Sequence, residues 1–242
     1  FVAFYGVDDI IFDCTDVGVN VRTLIVRDPS GNESSCTATI TVEDDVAPEA
    51  ICTDIIVQLD ATGNASITPN DIDNGSNDAC GIANLALSKT AFNCSEVGAN
   101  TVTLTVTDNN GNVSTCDAVV TVEDNVAPTV LCQDITVQLD ASGTVNITPQ
   151  QVDNGSNDAC GITNLSLSNT TFDCSNLGTN TVILTATDTN GNQSNCSAIV
   201  TVQDVTNPVV TAGSDINTTT SFDGTGNCTT LVTIPDAVIS DN

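Results

Sequence analysis

Carboxylates and sulfurs are the side chains with chemistry to offer in this sequence: 31 Asp and Glu against 3 Lys and Arg, 11 Cys, one Tyr, and no His, Met or Trp. Without His the commonest general base and metal ligand is missing, so a Ser/His/Asp triad, a Cys/His dyad and an HExxH zinc site are all excluded. What remains is oxygen-rich. Asp108-Asn-Asn-Gly-Asn112, Asp188-Thr-Asn-Gly-Asn192, Glu43-Asp44-Asp45 and Glu123-Asp124-Asn125 gather hard ligands of the kind calcium takes, although a solvated acidic surface accounts for most such residues. No CxxC occurs, so the cysteines read as structural disulfides rather than zinc or redox sites, and disulfides imply an oxidising, extracellular setting.

A formal charge of -28 argues against nucleic acid and against an anionic bilayer as partners; cations, sugars or proteins fit better. No apolar run approaches a membrane span, and none is expected to insert in a membrane. With aromatics at only 3%, the core has to be built from Val, Ile, Leu and Ala, which suits sheets.

The elements that must position these residues recur. Residues 47–126 and 127–206 align without a gap at a spacing of 80, with about 50 positions identical. Residues 1–46 match the back half of this unit and 207–242 the start of another, so the chain is expected to be a piece of a longer array: a truncated repeat, two complete repeats and the beginning of a fourth. Within one unit, Ile55 to Asp60 and Ala65 to Pro69 read as a hairpin about Ala61-Thr-Gly-Asn64, and Asp71 to Ala79 as a polar loop. Gly81 to Ser88 reads as a third strand. Thr101 to Thr107 and Ser114 to Glu123 alternate at period two about the turn at 108–112. No helical period persists. Short strands with frequent turns in a unit of this size predict an all-β fold of tandem immunoglobulin-like antiparallel β-sandwich domains in an elongated rod.

Asp54-Ile55, Phe92 with Val97-Gly98, the run Asn100 to Asp108, Gly111-Asn112, Cys116 and Asp124 with Ala127-Pro128 together resemble the hyalin-repeat (HYR) family. The wording Asp73-Asn-Gly-Ser-Asn-Asp-Ala-Cys-Gly81 resembles a subtype repeated in very large secreted surface proteins of gliding bacteria, the SprB-type gliding adhesins. The resemblance covers both complete units and both partial ones. In the last partial unit Gly226-Asn-Cys228, Ile234-Pro235 and Asp241-Asn242 are closer to the ordinary hyalin repeat, and Ala212 replaces the cysteine found at Cys132. The family implies extracellular β-sandwich arrays used for adhesion and leaves the ligand open.

Each complete unit holds four cysteines, Cys52, Cys80, Cys94 and Cys116, then Cys132, Cys160, Cys174 and Cys196, and four allow three pairings. In an immunoglobulin-like sandwich the first and last strands are parallel neighbours, which favours Cys52 with Cys116 and Cys132 with Cys196. That leaves Cys80 with Cys94 and Cys160 with Cys174. Cys14 and Cys36 are expected to lack partners from a missing front half, or to bond each other, and Cys228 to pair beyond the end of the chain. The same topology puts the end of each last strand at the exit of a domain and the preceding turn at the entrance of the next. Junction calcium would then lie between Asp44 and Asp108 and between Asp124 and Asp188. The linker Glu123 to Pro128 is similar to the calcium linkers of cadherins, without the other cadherin motifs.

Three further patterns have ordinary explanations. Asp71-Ile-Asp73-Asn-Gly75 starts like an EF-hand loop but lacks the closing Glu and the flanking helices, and Gln151 replaces Asp71 in the next copy. The Thr ladder at 101, 103, 105 and 107 is the solvent side of a strand. Asn-x-Ser/Thr triplets follow from composition. Because nearly every notable polar residue recurs one repeat later, an enzyme is not expected. The sequence predicts a structural stalk of a long secreted cell-surface adhesin or filament, serving surface adhesion or gliding, whose partners are its own neighbouring repeats. The alternative is an extracellular binding module whose loops recognise glycan or protein, with calcium.

Overall fold

The strands follow the predicted period-two pattern. The computed structural model describes residues 3–4, 11–211, 215 and 237–240, and the chain divides into two compact units, residues 1–125 and 126–242. The expectations for Ala212, Cys228 and the other motifs of the last partial repeat lie outside the described residues. Among the described residues no helix is long and apolar enough to cross a membrane, which says nothing of strands.

The first unit begins with β1 (Ala3–Phe4), β2 (Gly18–Arg27) and β3 (Glu33–Val42), an antiparallel sheet in that order. A complete repeat follows: β4 (Ile55–Gln58), β5 (Asn64–Ser66), the one-turn α1 (Pro69–Ile72), β6 (Ile82–Leu87), β7 (Ala91–Asn93), β8 (Gly98–Asp108) and β9 (Val113–Glu123). One sheet runs β4-β9-β8-β6, and β5 and β7 form a second ribbon. β4 lies parallel to β9, with Ile55 opposite Val120, while β8 pairs antiparallel with both β9 and β6. Asp54 starts the parallel ladder by accepting the Val119 N–H at 2.7 Å.

In β8 every second residue, Val102, Leu104 and Val106, is fully buried, and the intervening Thr side chains face outward. Ala118, Val120 and Val122 of β9 meet them from the same sheet, and Leu59, Ile67, Ile72 and Phe92 close the core. One aromatic, Phe92, supplies the bulk that Val and Ala cannot.

The second unit repeats this plan with β10 (Ile135–Gln138), β11 (Thr144–Asn146), α2 (Pro149–Val152), β12 (Ile162–Leu167), β13 (Thr171–Asp173), β14 (Gly178–Asp188) and β15 (Gln193–Gln203). Its sheet order is β10-β15-β14-β12 with a β11-β13 ribbon, and β16 (Val209–Thr211) pairs with β17 (Val238–Ser240). Phe172, Val152 and Ile147 pack with Val182, Leu184, Ala198, Val200 and Val202, so the ribbon and helical turn cover the inner face of the sheet.

Two local expectations are corrected. Residues 55–60 and 65–69 do not form a hairpin ladder. The turn closes as one, with Asp60 N–H donating to the Asn64 carbonyl and Gly63 at φ +75°, but beyond it β4 joins the sheet and β5 pairs with β7. The two arms thereby bring Leu59 and Ile67 into the core. The start of the polar loop at 71–79 is also helical, because Pro69 pre-sets the first turn and Asp71 accepts the Thr68 N–H at 2.6 Å and its hydroxyl at 2.8 Å. Gln151 accepts the Thr148 N–H at 2.8 Å in the same place, so the substitution that breaks the EF-hand resemblance preserves a cap.

Candidate functional site

The junction inside the first unit, between β3 and the sandwich that begins with β4, is built from three loops. The turn between β8 and β9 is held by Asp108. Its Oδ1 accepts the N–H groups of Asn110 and Asn112, each at 2.8 Å, and its Oδ2 accepts the Asn112 side-chain amide at 2.8 Å. Asp108 is 1% exposed. Burial by itself would raise its pKa, but the Asn112 side chain and the N–H groups of Asn112, Asn110 and Gly111 outweigh it and hold the carboxyl below its ordinary value. Asp28 with Asn32 and Asp188 with Asn192 build the same brace. Gly111, at φ +96°, lets the chain turn tightly enough for one carboxylate to reach all these donors.

Asn112 then reaches across the junction. Its side-chain amide donates to the Asp44 carbonyl at 3.0 Å and the Val46 carbonyl at 3.3 Å, which ties the linker after β3 to the turn of the following repeat. In the second unit Asn192 donates to the Val126 carbonyl at 3.4 Å. Asp44 is linked to the Asp108 turn through its backbone carbonyl and Asn112, and the Asp108 carboxylate itself is occupied by its own turn.

The Asp44 carboxylate has a different neighbour. Its Oδ1 accepts the Val46 N–H at 3.2 Å, while its Oδ2 is buried without a hydrogen-bond partner. One potential ligand atom from each of Asp44, Asp78 and Cys80 lies within 4.8 Å of the others. Cys80 is oxidised, which leaves two carboxylates as the cation-binding groups. Asp78 also accepts the Cys80 N–H at 2.7 Å, fixing the loop before β6. A groove beside Asp44 is lined by Glu43, Asp45, Asn110 and residues of β2 and β3. Asp124, 6% exposed, follows β9 at the end of the first unit, and Asp188 braces the β14–β15 turn of the second.

Cys52 is bonded to Cys116 and Cys132 to Cys196, each with Cα atoms 5.9 Å apart. The parallel pairing of first and last strands brings each pair together. The expected Cys80–Cys94 bond is absent: Cys80 is bonded to Cys14, with a Cα separation of 5.1 Å. The register explains why. Ile82, just after Cys80, stands opposite Asp108, whereas Cys94 leads into Gly98 at the other end of β8. Those ends are about 33 Å apart at roughly 3.3 Å per residue. Cys94 and Cys160 are both disulfide-bonded. Cys160 likewise precedes the Asp188 end of β14 while Cys174 leads into its Gly178 end, so the expected Cys160–Cys174 bond is absent too; the Cys174 sulfur lies 3.7 Å from the Gly143 carbonyl oxygen. Cys14 therefore has a partner in the next repeat, and Cys36 is exposed and unbonded.

Sequence reasoning missed Asp78 as a neighbour of Asp44, the clamp that Asn112 makes on the linker and the role of Cys14. The signal for the last was present, since Cys14 and Cys94 occupy equivalent places before the long strand, at the exit pole of their repeats.

No family model matches the chain. The extracellular cadherin domains 1–4 of protocadherin gamma B7 overlay 89% of this chain and 68% of their own length, at 13% identity and a TM-score of 0.35. Domains EC1–2 of human protocadherin-24 overlay 66% of this chain and 100% of their own, at 14% identity and a TM-score of 0.36. Hyalin of Strongylocentrotus purpuratus is 33% identical over a 208-residue alignment that covers 80% of this chain and 17% of hyalin, so the chain is similar to a short part of that protein.

Proposed function

We propose that the chain is a structural segment of a long extracellular, cell-surface adhesion protein, in which consecutive repeats are joined stiffly enough to hold other parts of the molecule away from the surface. The observation that carries this reading is the covalent tie across a junction, Cys14 to Cys80, reinforced by Asn112 on the linker carbonyls. An enzyme role finds no support in a site whose polar residues serve turns, caps and clamps. The similarity to hyalin favours an adhesive array, and the loop at 73–81 by its resemblance favours the gliding-adhesin subtype. Neighbouring repeats are the partners, and the repeat boundaries at 46/47, 126/127 and 206/207 are the proposed joints.

The test pairs two measurements on the intact chain. Small-angle scattering of the wild type against Cys14→Ser with Cys80→Ser should give a larger spread of dimensions for the variant. A glycan array probed with the wild type should show no saturable binding. Specific, saturable glycan retention would replace the stalk by a binding module.

Calcium at the junction belongs to the same proposal. The buried, unpartnered Asp44 Oδ2 and the Asp78 carboxylate beside it fit a hard cation, which would supply the missing partner and lower the repulsion between them. Asp108 contributes by holding the turn and Asn112. By the repeat, Asp124 and Asp188 are proposed to serve the next junction.

A further inference from the structure

We propose that the Cys14–Cys80 bond is a reducible lock on the joint between consecutive repeats, opened ahead of the disulfides inside the sandwiches and without unfolding them. The inference stands on the geometry of the bond and does not depend on the adhesive role.

The two cysteines sit on loops that hold their own shape. Cys14 begins a short helical turn braced at both ends: Asp13 accepts the Thr15 N–H at 2.8 Å, and Asp16 accepts the Asp13 N–H at 3.1 Å. Cys80 lies in a loop fixed by Asp78 on its own N–H and by the Asn109 side chain on its carbonyl at 2.7 Å. Neither sulfur belongs to a buried core. Breaking the bond leaves both loops with all of these hydrogen bonds, and what is lost is the fixed distance between them.

Access sets the order of opening. Cys14 is exposed, whereas Cys80, like Cys52, Cys116, Cys132 and Cys196, is half-buried, and Cys116 and Cys196 stand within the long strands of their sheets. Thiol–disulfide exchange requires in-line approach of a thiolate to one sulfur. With a dithiol reductant, its first thiolate attacks the Cys14 sulfur, the S–S electron pair departs on the Cys80 sulfur, and that thiolate takes a proton from water. The second thiol of the reductant then displaces the Cys14 thiolate, which is protonated in turn, and the reductant closes to its cyclic disulfide. Two electrons pass to the protein. Access at the Cys14 sulfur places this bond before the core bonds.

Once open, the joint keeps, among the described residues, the Asn112 hydrogen bonds to the Asp44 and Val46 carbonyls. The loss is therefore confined to the linker. The test is graded dithiothreitol treatment of the intact chain under native conditions, with alkylation of released thiols mapped by mass spectrometry and amide exchange followed in parallel. The expected result is complete alkylation of Cys14 and Cys80 while Cys52, Cys116, Cys132 and Cys196 stay unlabelled. Residues 43–48 should lose protection and β8 and β9 should keep theirs. Labelling of the core cysteines together with or before Cys14 would overturn the proposal. So would loss of strand protection when Cys14 opens, or a linker indifferent to opening. Cys14→Ser with Cys80→Ser should reproduce the linker exchange of the reduced protein without any reductant.

Discussion

At Asp108 burial and hydrogen bonding act in opposite directions, and the donors of the turn prevail, so the folded carboxyl titrates below its ordinary value of 3.8. A carboxyl with a lower pKa in the folded state stabilises the fold at any pH above its unfolded value. That contribution disappears as pH falls through the folded value, because the protonated acid cannot accept the same set of N–H groups. Asp28, Asp60, Asp140 and Asp188 are shifted in the same direction by the same kind of turn. Thermal unfolding should therefore be nearly insensitive to these groups above about pH 5 and should weaken steeply below the usual carboxylate range. Asp108→Asn should be less stable than the wild type at neutral pH, and the gap should narrow as pH falls from 5 to 2; a gap that stays constant would mean the charge does not matter to the turn. Asn112→Ala tests the other side of the brace: it should lower the melting temperature and raise exchange in residues 43–48 together.

Among the elements, the long β8–β9 hairpin carries the inner core face and the parallel β4 closes it, so the strongest tests of the sandwich lie where these meet the ribbon. Phe92→Ala removes the single aromatic of its core and should cost about 3–5 kcal/mol in chemical denaturation. Phe172→Ala should do the same in the second unit. The Cys52–Cys116 bond closes a loop with a sequence separation of 64. Replacing both by Ser should cost about 4 kcal/mol by the chain-entropy account, to be read from the denaturation midpoint at unchanged slope. The alternating Thr and Val of residues 101–107 made the strand and its buried face legible in the sequence, and the parallel placement of first and last strands brought Cys52 to Cys116. The partner of Cys80 was not legible from counting within one repeat. Pairing it with Cys94 satisfied the arithmetic and ignored that the register of β6 on β8 sends them to opposite poles. The hairpin at 55–69 failed for a related reason: a closed turn fixes only the residues beside it, and a sheet edge elsewhere offered β4 a longer ladder. Asn112 is legible as part of the ligand-rich turn at 108–112, but its reach across the junction is not, because those contacts are to backbone carbonyls, which carry no sequence identity.

For the molecule as a whole, the balance of 31 acidic against 3 basic residues makes self-repulsion the term that solution conditions control most directly. Raising ionic strength from about 0.01 to 0.15 M shortens the screening length from about 30 to about 8 Å, enough to separate the charges of one loop from those of the next. Sodium chloride should therefore raise the melting temperature over that range and then level off, whatever happens at the junction. Calcium held by Asp44 and Asp78 would act beyond screening, since a bound ligand stabilises the folded state in proportion to the logarithm of its concentration above the dissociation constant. At matched ionic strength, calcium should give a further rise that continues with concentration, with a chelator reversing it. Asp44→Asn should reduce that further rise and leave the sodium chloride response intact, because it takes away a buried carboxylate oxygen that lacks a hydrogen-bond partner and only one charge among many. If calcium and sodium chloride instead coincide at equal ionic strength, the acidic residues act as a diffuse surface charge, and stiffness at the junction rests on the Cys14–Cys80 bond and the Asn112 clamp alone.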